Sequence, residues 1–388
     1  MTDLLKNRRL RDNVLQLVFV GGIALMLATF AVTGKTNLDA QGLTSGFGFL
    51  EKTTGWRIGF SLIEYDTSSP YWLAIVVGLL NSLLLGAICL PMATLIGVTV
   101  GVMRTSGNGM AELVGTLYVE AFRNVPLILQ LLFWYALLLS LPNPRDAEPI
   151  LGGIVMSGRG FYFPALNVLG SSVVVSLFVV LGGASLALWL QAVRWRDADP
   201  ASARRERRVL GGLMVALVVL AMWLGRLPET GLVSLPELRG LNYQGGVRVA
   251  PELMACIIAI SVYGASYIAE IMRAGFNAIP KGQGEAGHAL GLTRWQILSR
   301  IRLPLAIRIV MPTMINQYVW LFKATTIGIA IGFADFFMVI STSIVQSGQT
   351  LELIGILMAG FLIINYSLAW VLNRVNDAIR LRGSQLRI

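Results

Sequence analysis

Residues Glu285 to Pro304 read EAGHALGLTRWQILSRIRLP. This polar stretch lies between two long apolar runs in a chain of 388 residues, of which 55% are hydrophobic and 13% charged. That is more apolar side chain than one water-soluble core can bury, and the composition describes an all-α, polytopic membrane protein. A helix rising 1.5 Å per residue needs about 20 residues to cross the hydrocarbon. Eight segments are expected to span it, near Val14–Val32, Trp72–Met103, Val125–Leu141, Leu169–Gln191, Val209–Leu224, Glu252–Met272, Arg308–Ile331 and Glu352–Leu372. The run GTLYVEAFRN can extend the third span backwards, and Pro91 can kink the over-long second.

Charge sets the orientation. Lys6, Arg8, Arg9 and Arg11 precede the first span, and an alternating topology puts twenty-one Lys and Arg residues on the side of the amino terminus against eight on the other. Such a bias predicts both termini in the cytoplasm. It also accounts for the net charge of +10 without nucleic acid. The first span has a long apolar stretch and the poor cleavage context AVTGKT, so it reads as an uncleaved span. The segment WRDADPASARRERR is a charged cytoplasmic linker, and the loop from Lys35 to Tyr71 faces outward with some structure of its own.

Several chemistries are excluded. TGKT at Thr33 to Thr36 imitates the end of a P-loop, but Thr29 stands where that motif needs glycine, and a span precedes it instead of a strand. His288 is the single histidine, and neither H-E-x-x-H nor G-x-S-x-G occurs. Cys89 and Cys256 each lie inside an apolar run, which leaves no disulfide framework and no thiolate metal site.

The polar stretch itself has the local physics of two short helices. After Pro280 a first helix can run to Leu290, Gly291 suits the left-handed position that ends it, and Thr293 with Gln296 forms a capping-box pattern for the second. In that second helix Trp295 shares a face with Leu298, and Ile297 with Ile301. Helices of about nine residues are unstable alone in water and must pack on something. A docking element and a re-entry loop with a solvated basic face both satisfy the local pattern.

The grammar of the stretch is more specific. Glu285-Ala286-Gly287, three residues, Gly291, nine residues and Ile301-Arg302-Leu303-Pro304 resemble the EAA signature of ABC-importer permeases, EAA-x3-G-x9-I-x-LP. Gly287 stands where the family commonly has alanine. The resemblance extends to YVEAFRNVPLILQ at Tyr118 to Gln130, similar to the YVE-FRG-TPLLVQ block of polar amino-acid permeases with Asn124 and Val125 as departures. It extends also to YGASYIAEIMRAGFNAIPKGQGEA and LFKATTIGIAIGFADFF, where Ala324 replaces a frequent acid. These blocks cover the second, third, sixth, seventh and eighth spans, the five-helix core of the histidine/glutamine/arginine permease family. The first span and the pair at 169–224 are extra, as in the extended eight-span permeases of general L-amino-acid and glutamate/glutamine/aspartate/asparagine importers.

The resemblance implies a type I importer permease domain at 72–376, preceded by a first span and outward loop at 1–71 and followed by a cytoplasmic tail at 377–388. Residues 281–304 are then the coupling loop, and Glu285, Ala286, Gly287, Gly291, Ile301, Leu303 and Pro304 engage an ATPase subunit. The implied partners are a second homologous permease forming a heterodimer, two ATPase subunits that bind ATP and Mg, and a periplasmic amino-acid-binding protein. The chain itself would hold no cofactor or metal and would reside in a bacterial inner membrane. An ion-gradient-driven secondary transporter is the alternative; it favours inverted repeats and helices broken at matching positions, and the sequence displays neither. A structural membrane protein would have no use for the EAA spacing.

Charged residues near membrane depth carry further expectations. Glu120 with Arg123 and Glu270 with Arg273 are acid–base pairs at i,i+3 that can neutralise each other near helix ends. Asn124 and Gln130 can line a pathway or bond across a helix interface. Lys323 lies well inside the seventh span, where a lysine facing lipid costs about 2.5 to 3.5 kcal/mol. With Asn316 two turns earlier, Thr326 a turn later and Thr325 adjacent, it forms a polar stripe that can line an aqueous path.

Overall fold

The computed structural model describes residues 8–40, 46–150, 153–193, 199–226 and 233–379. Lys6, the start of the charged linker at Arg194 and Arg196, and the tail beyond residue 379 lie outside the described residues. The described residues form twelve α-helices, α1 (Arg8–Ala40), α2 (Tyr71–Met103), α3 (Gly109–Asn124), α4 (Leu127–Leu139), α5 (Gly170–Val193), α6 (Pro200–Leu224), α7 (Pro251–Asn277), α8 (Lys281–Ala289), α9 (Arg294–Ile297), α10 (Leu303–Lys323), α11 (Phe336–Ser347) and α12 (Thr350–Ile379).

The parallel pair α2 and α7 is the centre of the bundle, with Cys89 beside Ile257, Gly97 beside Ile268 and Gly101 beside Met272. Lipid offers little hydrophobic drive between helices, so close backbone approach must come from small residues. A Cβ at Gly97 would stand 2.6 Å from the Ile268 side chain, and one at Gly101 2.6 Å from Met272. Further along α2, Gly86 admits the ring of Phe322 and Gly78 the side chain of Val339. α2 runs unbroken through Pro91, which is exposed.

Among the described residues six helices are long and apolar enough to cross a membrane, and α3 with α4 makes a seventh if the pair is one span bent by 101°. The expected continuous third span at Val125–Leu141 is therefore corrected to a 13-residue helix after a sharp break. Pro126 supplies no amide hydrogen and drives the preceding Val125 to extended backbone (φ −94°, ψ 127°). The expected fourth span is α5, which has only a shorter apolar stretch, Gly170–Ala184, among the described residues and packs along α6. The seventh expected span divides into α10 and a 3-10 segment, Ala324–Ile331, ended by left-handed Gly332. α11 was not expected as a separate element. Its first turn is stapled to α2: Asn81 Nδ2 donates to the carbonyls of Ala334 and Phe60 at 2.8 Å, Ser82 Oγ accepts the Phe336 amide, and Asp335 Oδ1 accepts the Met338 amide.

α1 continues five residues past Lys35, and within it the Thr29 and Thr36 hydroxyls donate to the carbonyls of Leu25 and Val32. TGKT is thus helical. The outward loop has a 3-10 turn at Phe47–Glu51, which packs Phe49 edge-on against Tyr71.

At the same end of the bundle the described residues form seven short strands, unanticipated in an all-α reading. They are β1 (Val155–Ser157), β2 (Gly160–Phe163), β3 (Ala165–Leu166), β4 (Val233–Ser234), β5 (Glu237–Arg239), β6 (Asn242–Gln244) and β7 (Val247–Val249). β1, β2 and β7 form one antiparallel sheet, β3 pairs with β4, and β5 with β6. Between them α5 and α6 stand as a hairpin whose other neighbour is α12.

Candidate functional site

The stretch at 285–304 adopts the geometry its caps encode. α8 ends in a Schellman motif, in which the Leu292 amide donates to the Gly287 carbonyl and the Gly291 amide to that of His288, with Gly291 at φ +75°. Thr293 Oγ1 then accepts the Gln296 amide and Gln296 Oε1 accepts that of Thr293, the expected capping box. α9 is only four residues long and passes through a π-helical turn, Leu298–Arg302, directly into α10. Gly287 is buried, and a Cβ there would stand 2.9 Å from Ile297 and 3.2 Å from Ile301. The glycine in the place of the family's alanine lets α8 close on these two isoleucines. Glu285 and Ala286 remain exposed, Leu303 and Pro304 are half-buried at the start of α10, and Leu290 and Trp295 present 78% and 71% of their surface to solvent.

Behind this loop α2 and α7 are tied by charge. Glu270 accepts from Arg104 at 2.5 Å and from Arg273 at 2.5 and 3.1 Å. The Glu270–Arg273 pair was legible at i,i+3. Arg104 was missed as its partner, although it is the one basic residue at that end of α2. The other acid–base pair is replaced: Glu120 Oε2 accepts from Asn124 Nδ2 at 2.8 Å.

The polar residues at membrane depth separate into two groups. Leu321 packs on Gly264 and Phe322 on Gly86, near the midpoints of α7 and α2, so Lys323 lies at mid-depth at the carboxyl end of α10. Its side chain is exposed and no acid pairs with it among the described residues. Asn316 and Asn124 are also exposed, and Thr326, partly exposed, donates to the Lys323 carbonyl at 2.9 Å. Thr325 points inward, fully buried, and donates to the Phe322 carbonyl. Gln130 is buried as well: its Nε2 donates to the carbonyls of Phe122 at 2.7 Å and Val125 at 2.9 Å, which the break after α3 leaves without helical partners. Of the six pathway residues, four face open space and two face the bundle.

A broken span, a capped two-helix loop and an exposed lysine at mid-depth thus belong to one polytopic helical membrane bundle. The model of the family "Binding-protein-dependent transport system inner membrane component" matches residues 93–381. The chain is 35% identical over 366 residues to the putative amino-acid ABC transporter permease protein YhdX of Escherichia coli, covering 91% of this chain and 92% of that one. It is 34% identical to the general L-amino acid transport system permease protein AapQ of Rhizobium johnstonii, covering 90% and 86%. To the glutamate/glutamine/aspartate/asparagine transport system permease protein BztB of Rhodobacter capsulatus it is 29% identical, covering 98% and 96%. The chain belongs to the family of binding-protein-dependent transport system inner membrane components.

Proposed function

We propose that this chain is the membrane-spanning permease subunit of an ATP-binding-cassette importer that takes up L-amino acids, of the general or the glutamate/glutamine/aspartate/asparagine type. The observation that carries the reading is the coupling loop. A Schellman-capped α8 and box-capped α9 hold Leu290 and Trp295 outward on a segment rigidly continuous with α10. Such a segment suits insertion into a groove of an ATPase subunit, with Glu285, Ala286, Gly287, Gly291, Ile301, Leu303 and Pro304 setting its shape. Two ATPase subunits bind ATP and Mg, and this chain hydrolyses none itself. A second, homologous permease completes the pathway as a heterodimer, and a periplasmic binding protein delivers the amino acid. Both termini and the coupling loop face the cytoplasm of a bacterium whose inner membrane holds the complex.

Alternating access then shifts a bistable pair of bundles through differential contacts made from outside this chain. Lys323, Asn316, Thr326 and Asn124 line the path, and Lys323 supplies positive charge suited to a substrate carboxylate. Thr325 and Gln130 fix the walls from behind. Reconstitution with the candidate second permease, ATPase and binding protein tests the reading: amino-acid-loaded binding protein should stimulate ATP hydrolysis. Transport that follows an ion gradient without ATP would overturn it in favour of a secondary transporter.

A further inference from the structure

We propose that the open side of the Trp320 indole receives the α-ammonium group of the amino acid in transit, while Lys323 holds its carboxylate. The subsite rests on the pathway reading above and adds the half of the substrate that a lysine cannot bind.

From Thr313 to Lys323 the exposed residues of α10 are Thr313, Asn316, Trp320 and Lys323. At 3.6 residues per turn these four fall within an arc of about 80°. An exposed indole is ordinary on a helix that faces lipid, but lipid does not suit this stripe, which has a charge and an amide in it. The exposed stretch of α12 at Met358, Leu362 and Ile363 shows the contrast, since it is apolar throughout. Trp320 is thus the one ring on a polar face.

The ring is held from behind. On its α7 side it packs on Tyr263 and Tyr267, each with its ring centroid 5.8 Å away, and the two tyrosine hydroxyls share a hydrogen bond of 3.0 Å. Tyr263 is buried and Tyr267 half-buried, whereas Trp320 keeps 41% of its surface open. The cations that lie over rings among the described residues, Arg302 and Arg374, cover Phe276 and Trp370, and the Trp320 ring has none over it. Glu270, a turn beyond Tyr267, is bound by both Arg104 and Arg273, so that stretch of α7 offers an ammonium group no free carboxylate. The indole face remains. Its quadrupole attracts a cation, most strongly where water is excluded.

The spacing fits one small zwitterion. Side chains three apart on a helix start about 5 to 6 Å from each other, and a cation is held within about 6 Å of a ring centroid. The ammonium and the carboxylate of an α-amino acid are attached to one carbon and can reach the indole and the lysine together. Every α-amino acid has that carbon, so the pair serves substrates with unlike side chains. An acidic amino acid offers Lys323 a second carboxylate and depends on it more.

The test measures radiolabelled L-glutamate bound to the assembled complex of both permeases and the ATPases, without binding protein, so that the affinity read is that of the membrane site. Displacement by L-2-hydroxyglutarate, which has a hydroxyl in place of the ammonium, gives the affinity of a ligand lacking the cation. The native complex should prefer glutamate. Trp320→Leu should weaken glutamate roughly five-fold and leave 2-hydroxyglutarate unchanged, and Trp320→Phe, which keeps a ring, should weaken glutamate roughly two-fold. Lys323→Met should weaken both ligands alike. Equal weakening of both ligands by Trp320→Leu would make the indole a mere wall and overturn the subsite. Release of the second permease from the Trp320→Leu complex, with glutamate bound by Trp320→Phe as tightly as by the native complex, would overturn it in favour of a subunit contact. A native complex that bound no glutamate would overturn the subsite as well. The importer reading would outlive that result if glutamate-loaded binding protein still stimulated ATP hydrolysis, and would fall with the subsite if it did not.

Discussion

Gln130 holds the sharpest bend in the bundle with one side chain. Its carboxamide nitrogen serves two carbonyls that the break around Pro126 leaves without helical partners, and Gln130→Ala would leave the half-buried Phe122 and Val125 carbonyls without that donor. At about 0.6 to 1 kcal/mol per bond, the variant should lose roughly 1 to 2 kcal/mol. A fall of a few degrees in the Tm of the complex would read this out; an unchanged Tm would mean water replaces the amide. Lys323 poses a different question. Lys323→Met removes an exposed, unpaired charge at mid-depth, so assembly should persist while uptake of acidic amino acids slows more than that of basic ones. Equal loss for all substrates, with loss of the complex, would make the lysine structural. Lys323 was legible because a charge inside an apolar run is conspicuous. The role of Gln130 was not, since it depends on which backbone carbonyls a break exposes.

Among elements, the coupling loop was the most legible, because caps are local. Gly291, Thr293 and Gln296 specify their turns within a few residues, and φ +75° at Gly291 costs a residue with a Cβ about 1 to 2 kcal/mol. Gly291→Leu should therefore reach the membrane in normal yield and lose ATPase assembly or coupling, as pull-down and hydrolysis assays would register. Unchanged transport would make the loop mere surface. Elements whose existence depends on distant partners were not legible. α11 needs Asn81 and Ser82, far away in sequence, to satisfy its first turn. The strands run two to four residues, too short for an alternating pattern to stand out from a loop. The α3–α4 break had its signal in Val125-Pro126, but the apolar run across it matched a continuous span equally well.

For the whole molecule, the placement of arginines predicts which surface faces the cytoplasm. Ser202, in the first turn of α6, is exposed, and Cys89 and Cys256 are buried. Ser202→Cys in the otherwise native chain should react with a membrane-impermeant maleimide only after the cytoplasmic face is opened. Reaction in intact cells would invert the proposed topology.

The strand pair β3–β4 has a consequence for how the gene could be shortened. Leu166 faces Val233 across an antiparallel ladder, so the chain leaves for the α5–α6 hairpin and returns at nearly the same point. Opposed residues in such a ladder stand about 5 Å apart, a gap that a two-residue turn closes. Residues 167–232 can accordingly be excised and replaced by Asn-Gly without moving either flanking strand. The trimmed subunit should keep α2, α4, α7 and the coupling loop in register, so its ATPase stimulation separates what the α5–α6 hairpin contributes from what the rest of the bundle does alone.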